Sequence, residues 1–202
     1  MSHLSQMAGL SVQNFLSAAT GIALAFAVAR AFAGGEVREL GNFWADLVRV
    51  TLYLLLPMAL VLGLAFVVLG VPQTLQGAVE AATLEGGRQS IALGPVAFQL
   101  AIKHLGTNGG GFFGANSAHP FEGPSGLAIA LQIWAQQVIP FALALAFGHI
   151  VGDARQGRAP LAVMLGFVVL ATAAIYAAEA AGNPPHLAAG LDPALGNMEG
   201  KE

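Results

Sequence analysis

Four stretches of this chain, residues 8–29, 50–69, 127–151 and 160–178, each run for about the depth of a bilayer without one Asp, Glu, Lys or Arg. A hydrocarbon core about 30 Å thick asks for roughly 20 mainly apolar residues from a helix that crosses it. Inside that core each backbone N–H and C=O must be bonded within the protein, which leaves helices and closed barrels as the spanning structures. Runs of this length and apolarity dictate helices. Only 9% of the residues are charged, against about 25% in soluble domains, too few to cover a soluble surface. A formal net charge of −3 also excludes a basic nucleic-acid-binding face. The absence of cysteine removes disulfides, thiolate metal sites and cysteine nucleophiles.

The flanks of the runs carry the charge. Arg30, Arg38, Arg49, Arg155 and Arg158, five of the eight basic residues, fall in the connections 30–49 and 152–159. Basic connections stay on the cytoplasmic side, so both termini and residues 70–126 are expected outside. The string Ala31-Phe32-Ala33-Gly34 resembles a signal-peptide cleavage site. However, the first run lacks a basic start, is too long, and has Arg30 at the wrong end. A retained span is expected.

Residues 70–126 break the simple pattern. Residues 73–89, with Glu80, Glu85, Gly86, Gly87 and Arg88, read as plain outer loop. Then Gly94-Pro95 opens the apolar run 96–105, closed by Gly106-Thr107-Asn108-Gly109-Gly110-Gly111-Phe112-Phe113. Proline suits a helix start and glycine a helix stop. A helix this short does not cross a bilayer and has the length of a re-entrant segment. The expected fold class is therefore an all-α membrane protein with four transmembrane helices, one re-entrant pore helix and a filter loop.

A short helix followed by a glycine run suits cation passage. Backbone carbonyls replace the water shell of a bare potassium ion without fixed charge. Glycine reaches the conformations that aim successive carbonyls at one axis, and the helix turns its negative end inward. The expected coordinating groups are the backbone carbonyls of Thr107, Asn108, Gly109, Gly110 and Gly111, with K⁺ at Thr107, Gly109 and Gly110. Phe112 and Phe113 are expected to support the loop from behind. A flexible glycine-rich outer loop explains neither the apolar helix nor the paired phenylalanines.

Other residues admit two readings each. Gln13, Ser17, Thr20, Gly21 and Leu24 share a helix face, which either turns to the pore or packs through small residues. Gln132 and Gln136 either line a vestibule or pair across helices, and Pro140 is expected to kink their helix. Lys103 is expected to cap helix carbonyls or to snorkel off the axis. His104, His119, His149 and His186 are scattered without metal-ligand spacing, and His119-Pro120-Phe121-Glu122 reads as a rigid return to the third span. Glu179 is expected at the outer interface. Gly109-x-Gly111-x-x-Gly114 matches a dinucleotide fingerprint only literally, since a helix precedes it and no strand does. No phosphate-loop motif ending in Gly-Lys-Ser/Thr occurs, so any ATP-driven step belongs to a partner, and no organic cofactor is expected.

The string Gly-Thr-Asn-Gly-Gly-Gly-Phe-Phe-Gly-Ala-Asn-Ser-Ala-His-Pro-Phe-Glu at 106–122 closely resembles the KdpA family. So do Gln6-Met7-Ala8-Gly9-Leu10, Val12-Gln13-Asn14-Phe15, Ser17-Ala18-Ala19-Thr20-Gly21, residues 40–49, residues 152–158 and the ending 197–202. Gly114 and Gly123-Pro124-Ser125 depart from the family's usual Asn and Asn-Pro-Thr. The resemblance implies the potassium-binding subunit of a bacterial potassium-transporting P-type ATPase, built from four membrane–pore–membrane repeats around one filter. Its implied partners are a KdpB-like ATPase subunit, KdpC-like and KdpF-like subunits, and membrane lipid; nucleic acid is not among them. Its implied location is the bacterial inner membrane, multi-pass, with the filter on the extracytoplasmic side.

Family subunits are more than twice as long, so the chain is expected to be a central piece, a fragment or a truncated product. Residues 1–33 would be the exit helix of a preceding pore unit, 34–151 one complete unit, and 152–202 a cytoplasmic turn with the first helix of the next. Two other functions compete: a stand-alone homotetrameric P-loop cation channel and a membrane oxidoreductase subunit.

Overall fold

The computed structural model describes residues 2–34, 40–84 and 86–182, with 188 and 190. Arg38, Glu85, His186 and the string 197–202 lie outside the described residues. Among the described residues four helices are long and apolar enough to cross a membrane: α1 (Ser5–Ala33), α2 (Phe43–Val68), and, after the intervening segment, Gly126–Val151 and Ala154–Ala180. Between α2 and the third of these lie a hairpin of β1 (Ala78–Ala82) and β2 (Arg88–Ala92), the short helix α3 (Val96–Leu105), and a second hairpin of β3 (Gly110–Gly111) and β4 (Gly114–Ala115). The last two spans are α4 (Gly126–Val151) and α5 (Ala154–Ala180).

The ends of these helices follow from local chemistry. Asn42 caps α2 by accepting the Ala45 N–H at 3.1 Å, Ser125 caps α4 through Ala128 N–H at 3.2 Å, and Asp153 caps α5 through Arg155 N–H at 2.9 Å; each satisfies a donor that the first turn leaves unpaired. Arg30 near the end of α1 pairs with Asp46 in the first turn of α2 and also donates to the Leu40 carbonyl at 3.2 Å. Ser5–Ser11 in α1 and Val50–Leu55 in α2 are wound as π-helix. The second of these turns lies just ahead of Pro57, whose ring nitrogen donates no hydrogen bond. Helix α4 runs unbroken through Pro140.

Eight of the ten residues of α3 are buried. Val96, Ala97, Leu100, Ala101 and Leu105 pack with Leu55, Leu62 and Phe66 of α2, Ala19 and Ile22 of α1, and Ala135 and Ile139 of α4. A segment too short to cross the bilayer thus sits at the centre of the core, held on three sides by longer helices. Its first turn is satisfied from a distance: Ala97 N–H donates to the Pro72 carbonyl at 3.0 Å and Phe98 N–H to the Gln73 side chain at 3.3 Å. By contrast, α5 buries only Gly157, and Phe167 and Tyr176 remain 71% and 77% exposed, apolar surface that lipid or further protein must cover.

The fold is mostly helical, as expected, but residues 73–89 are more than plain loop. Strands β1 and β2 pair antiparallel from Ala78↔Ala92 to Ala82↔Arg88. The turn is closed by Thr83, whose hydroxyl accepts the Gly87 N–H at 2.9 Å.

Candidate ion-binding loop

The chain leaves α3 through a tightened last turn. Gly106 N–H donates to the Ile102 carbonyl at 2.9 Å, Thr107 N–H to His104 at 3.2 Å and Asn108 N–H to Lys103 at 3.1 Å. Thr107 then adopts φ +53° and Gly109 φ +85°. The left-handed region disfavours a β-branched side chain but costs glycine little, so Thr107 is the strained position of the pair. Strain of this kind gathers at functional sites, where the surrounding structure holds it in place. Main-chain bonds to three carbonyls of α3 hold it here.

Beyond Thr107 the glycines form one arm of the small hairpin, with Gly110 opposite Ala115 and Gly111 opposite Gly114. Asn116 N–H donates to the Gly109 carbonyl at 2.7 Å. That oxygen, one of the five expected ligands, therefore retains one lone pair for an ion. The Gly110 carbonyl faces the Asn14 amide at 3.4 Å. Among the described residues the Thr107 and Asn108 carbonyls accept no hydrogen bond. They lie at the C-terminal end of α3, where the partial negative charge of the helix collects. Next to them is a cavity of about 200 Å³ lined by Ser17, Gly21, Gly106, Thr107, Ile139 and Pro140, among others.

Helix α1 reaches the loop through polar groups one turn apart. Asn14 is buried. Ser17 donates to the Asn14 carbonyl at 3.0 Å and accepts from the Asn108 amide at 2.6 Å. Gln13, on the same helix, is exposed. Of the face that includes Gln13 and Ser17, the structure brings Ser17 to the loop, together with Asn14, which differs from Gln13 by one helical step. Gln132 donates to the Glu122 carbonyl at 2.5 Å, and Gln136 bonds the His104 ring at 2.7 Å. Both glutamines thus bond groups on other elements.

Behind the loop the aromatics stack. Phe112 and Phe113 meet edge to face at 4.9 Å, and Phe113 lies on the His119 ring at 4.1 Å and 13°. His119 turns the chain back, its Nδ1 accepting the Phe121 N–H at 3.2 Å. Lys103 does something the sequence did not suggest. It neither caps carbonyls nor snorkels, but is buried in an ion pair with Glu122 at 2.6 Å. Residues 19 positions apart on a helix and a return limb leave no periodic trace, so only the fold reveals this pair. His104, beside it, bonds Ser117 Oγ at 2.9 Å. The glycines at 109, 111 and 114 lie on a hairpin after a helix, away from any βαβ setting. No cluster of His, Asp or Glu that could hold a metal ion occurs among the described residues.

Comparison with known proteins reaches the whole chain. The model of the family described as "KdpA: Potassium-transporting ATPase A subunit" matches residues 1–202. A protein of Allorhizobium ampelinum named potassium-transporting ATPase potassium-binding subunit is 62% identical over 201 residues, covering 100% of this chain and 35% of the relative. Relatives of the same name from Brucella anthropi and Yersinia enterocolitica are 59% and 57% identical over 202 residues, all of this chain and 35% and 36% of theirs. The chain thus spans about a third of the length of the curated relatives it matches.

Proposed function

Because the chain belongs to the KdpA family of potassium-transporting ATPase A subunits, a family of multi-pass membrane proteins, we propose that it supplies one filter strand to the potassium-binding subunit of an ATP-driven K⁺ importer. In this reading α2, α3 and α4 form one membrane–pore–membrane unit, α1 closes the unit before it and α5 opens the unit after it. The loop 107–111 faces the extracytoplasmic side of the bacterial inner membrane. The remaining strands come from the longer family subunit. A P-type ATPase subunit of the KdpB kind hydrolyses ATP, and KdpC-like and KdpF-like subunits complete the complex.

The observation that carries this reading is the pair of carbonyls at Thr107 and Asn108. They are free of hydrogen bonds among the described residues and sit beyond the end of a buried ten-residue helix, and Thr107 lines a cavity. Potassium as substrate would exchange water for these oxygens, drawn by the helix's negative end and by the second lone pair of Gly109. Irregular backbone at membrane depth is stable only when buried in protein or lining a wet cavity; Thr107 and Asn108 are exposed and Gly109 to Gly111 half-buried, so the loop fits the second condition, with Thr107 lining a cavity. The names of the relatives, each a potassium-binding subunit, agree with a cation as ligand.

The test is Gly109→Asp in the complete ATPase. A side chain at φ +85° strains the loop, and its carboxylate adds fixed charge where neutral dipoles select the ion. K⁺-over-Na⁺ preference is expected to fall. Unchanged uptake with an unchanged K⁺/Na⁺ ratio overturns the reading. Co-purification with an ATPase subunit supports the importer, and a homotetramer of this chain alone supports a channel instead.

A further inference from the structure

Lys103 and Glu122 are each 1% exposed, the most deeply buried charged side chains among the described residues. Withdrawing two charges from water is costly, and a buried pair contributes little net stability compared with apolar residues of the same shape. Its place under the glycine loop is therefore the informative feature. Both partners touch that loop. Glu122 Oε2 takes the ammonium at 2.6 Å, while its other oxygen, Oε1, accepts the Phe113 N–H at 3.2 Å. Lys103 holds Asn108 N–H on its main-chain carbonyl at 3.1 Å, and its side chain fills the space beneath Gly111, where a Cβ would meet Lys103 Cδ and Cε at 3.0 Å.

The geometry points to Lys103 and Glu122 as positioning residues for the candidate filter: together they fix the height of strand β3 over the end of α3, and so the aim of the carbonyls at 107–111. This inference rests on the reading of that loop as an ion filter. The carboxylate has two tasks. One oxygen anchors the far end of the glycine strand through Phe113. The other neutralises an ammonium that would otherwise repel the cation from directly beneath Gly111. Gln132, donating to the Glu122 main-chain carbonyl at 2.5 Å, holds the return limb so that both oxygens keep their partners.

Three variants in the complete ATPase, reconstituted in vesicles, separate positioning from packing when complex yield and the K⁺/Na⁺ uptake ratio are read together. Lys103→Glu with Glu122→Lys restores opposite charges but leaves Phe113 N–H without an acceptor. Yield is expected to persist while K⁺ preference drops about tenfold or more, the scale of a hydrogen bond to a charged group. Lys103→Met with Glu122→Gln removes both charges and keeps an oxygen for Phe113, and most of the preference is expected to survive. Glu122→Gln alone strands the ammonium and is expected to raise the apparent KM for K⁺ about tenfold. Wild-type preference in the reversed pair overturns the inference. Should the reversed pair fail to assemble, equal K⁺ preference in the neutral pair and in Glu122→Gln overturns it instead. Gly109→Asp is measured alongside. If it lowers the ratio and the pair variants do not, the positioning role alone fails; if none of them moves the ratio, the filter reading fails with it.

Discussion

Glu122 joins three elements at once: α3 through Lys103, the glycine hairpin through Phe113 N–H, and α4 through Gln132. Removing one member of a buried pair leaves the other charged and unpaired, at a cost of about 3–5 kcal/mol. Lys103→Met alone is therefore expected to lower the thermal unfolding midpoint of the purified complex, and Glu122→Gln added to it should recover most of the loss. A midpoint that the single change leaves in place would show that the pair is hydrated. Ser17 offers a smaller effect. Its hydroxyl holds the Asn108 amide at 2.6 Å, a bond worth about 0.5–1.5 kcal/mol. Ser17→Ala is expected to raise the apparent KM for K⁺ by roughly two- to tenfold, measured as tracer uptake. These contacts were largely invisible in sequence. Ser17 drew notice as one of several small polar residues on a face, whereas Asn14 and the Lys103–Glu122 pair owe their roles to tertiary approach between separate segments of the chain.

At the level of elements, the long helices were legible because nothing but apolar burial accommodates 20 uncharged residues. Helix α3 was legible because Gly94-Pro95 and Gly106 bracket its apolar run; Pro95 proves to be the residue before the first turn. The outer hairpin was not. Four of the five residues in each of its strands are exposed, so neither strand shows the alternation that a half-buried sheet imprints. The α4–α5 turn supplies a prediction of its own. A Cβ on Gly148 would lie 2.6 Å from Gly157 N, and one on Gly157 would lie 2.8 Å from the Ala144 carbonyl, so the two backbones meet with no side chain between them. Gly157→Leu is expected to force α5 off α4 and to reduce the amount of assembled complex in membranes. Wild-type amounts would mean that the two helices separate without consequence.

At the scale of the whole chain, the basic residues give an expected orientation, and the lack of cysteine in this sequence suits a test with single introduced thiols in an otherwise cysteine-free background. Glu80, on strand β1, is expected outside, and Arg155, in the first turn of α5, inside. With a membrane-impermeant maleimide on intact cells, Glu80→Cys should label and Arg155→Cys should label only after lysis; the reverse order would invert the topology. Orientation matters because α4 links two ends that chemistry treats differently. One end is capped by Ser125, a few residues from Glu122, and carries the glutamines that grip the return limb and His104. The other is welded to α5 where Gly148 meets Gly157. Twenty-six residues of helix make a rod about 39 Å long at 1.5 Å per residue. On the function and orientation proposed above, a tug on the α4–α5 turn would arrive at the candidate loop as a tilt of Gln132 and Gln136, a lever from one face of the membrane to the other.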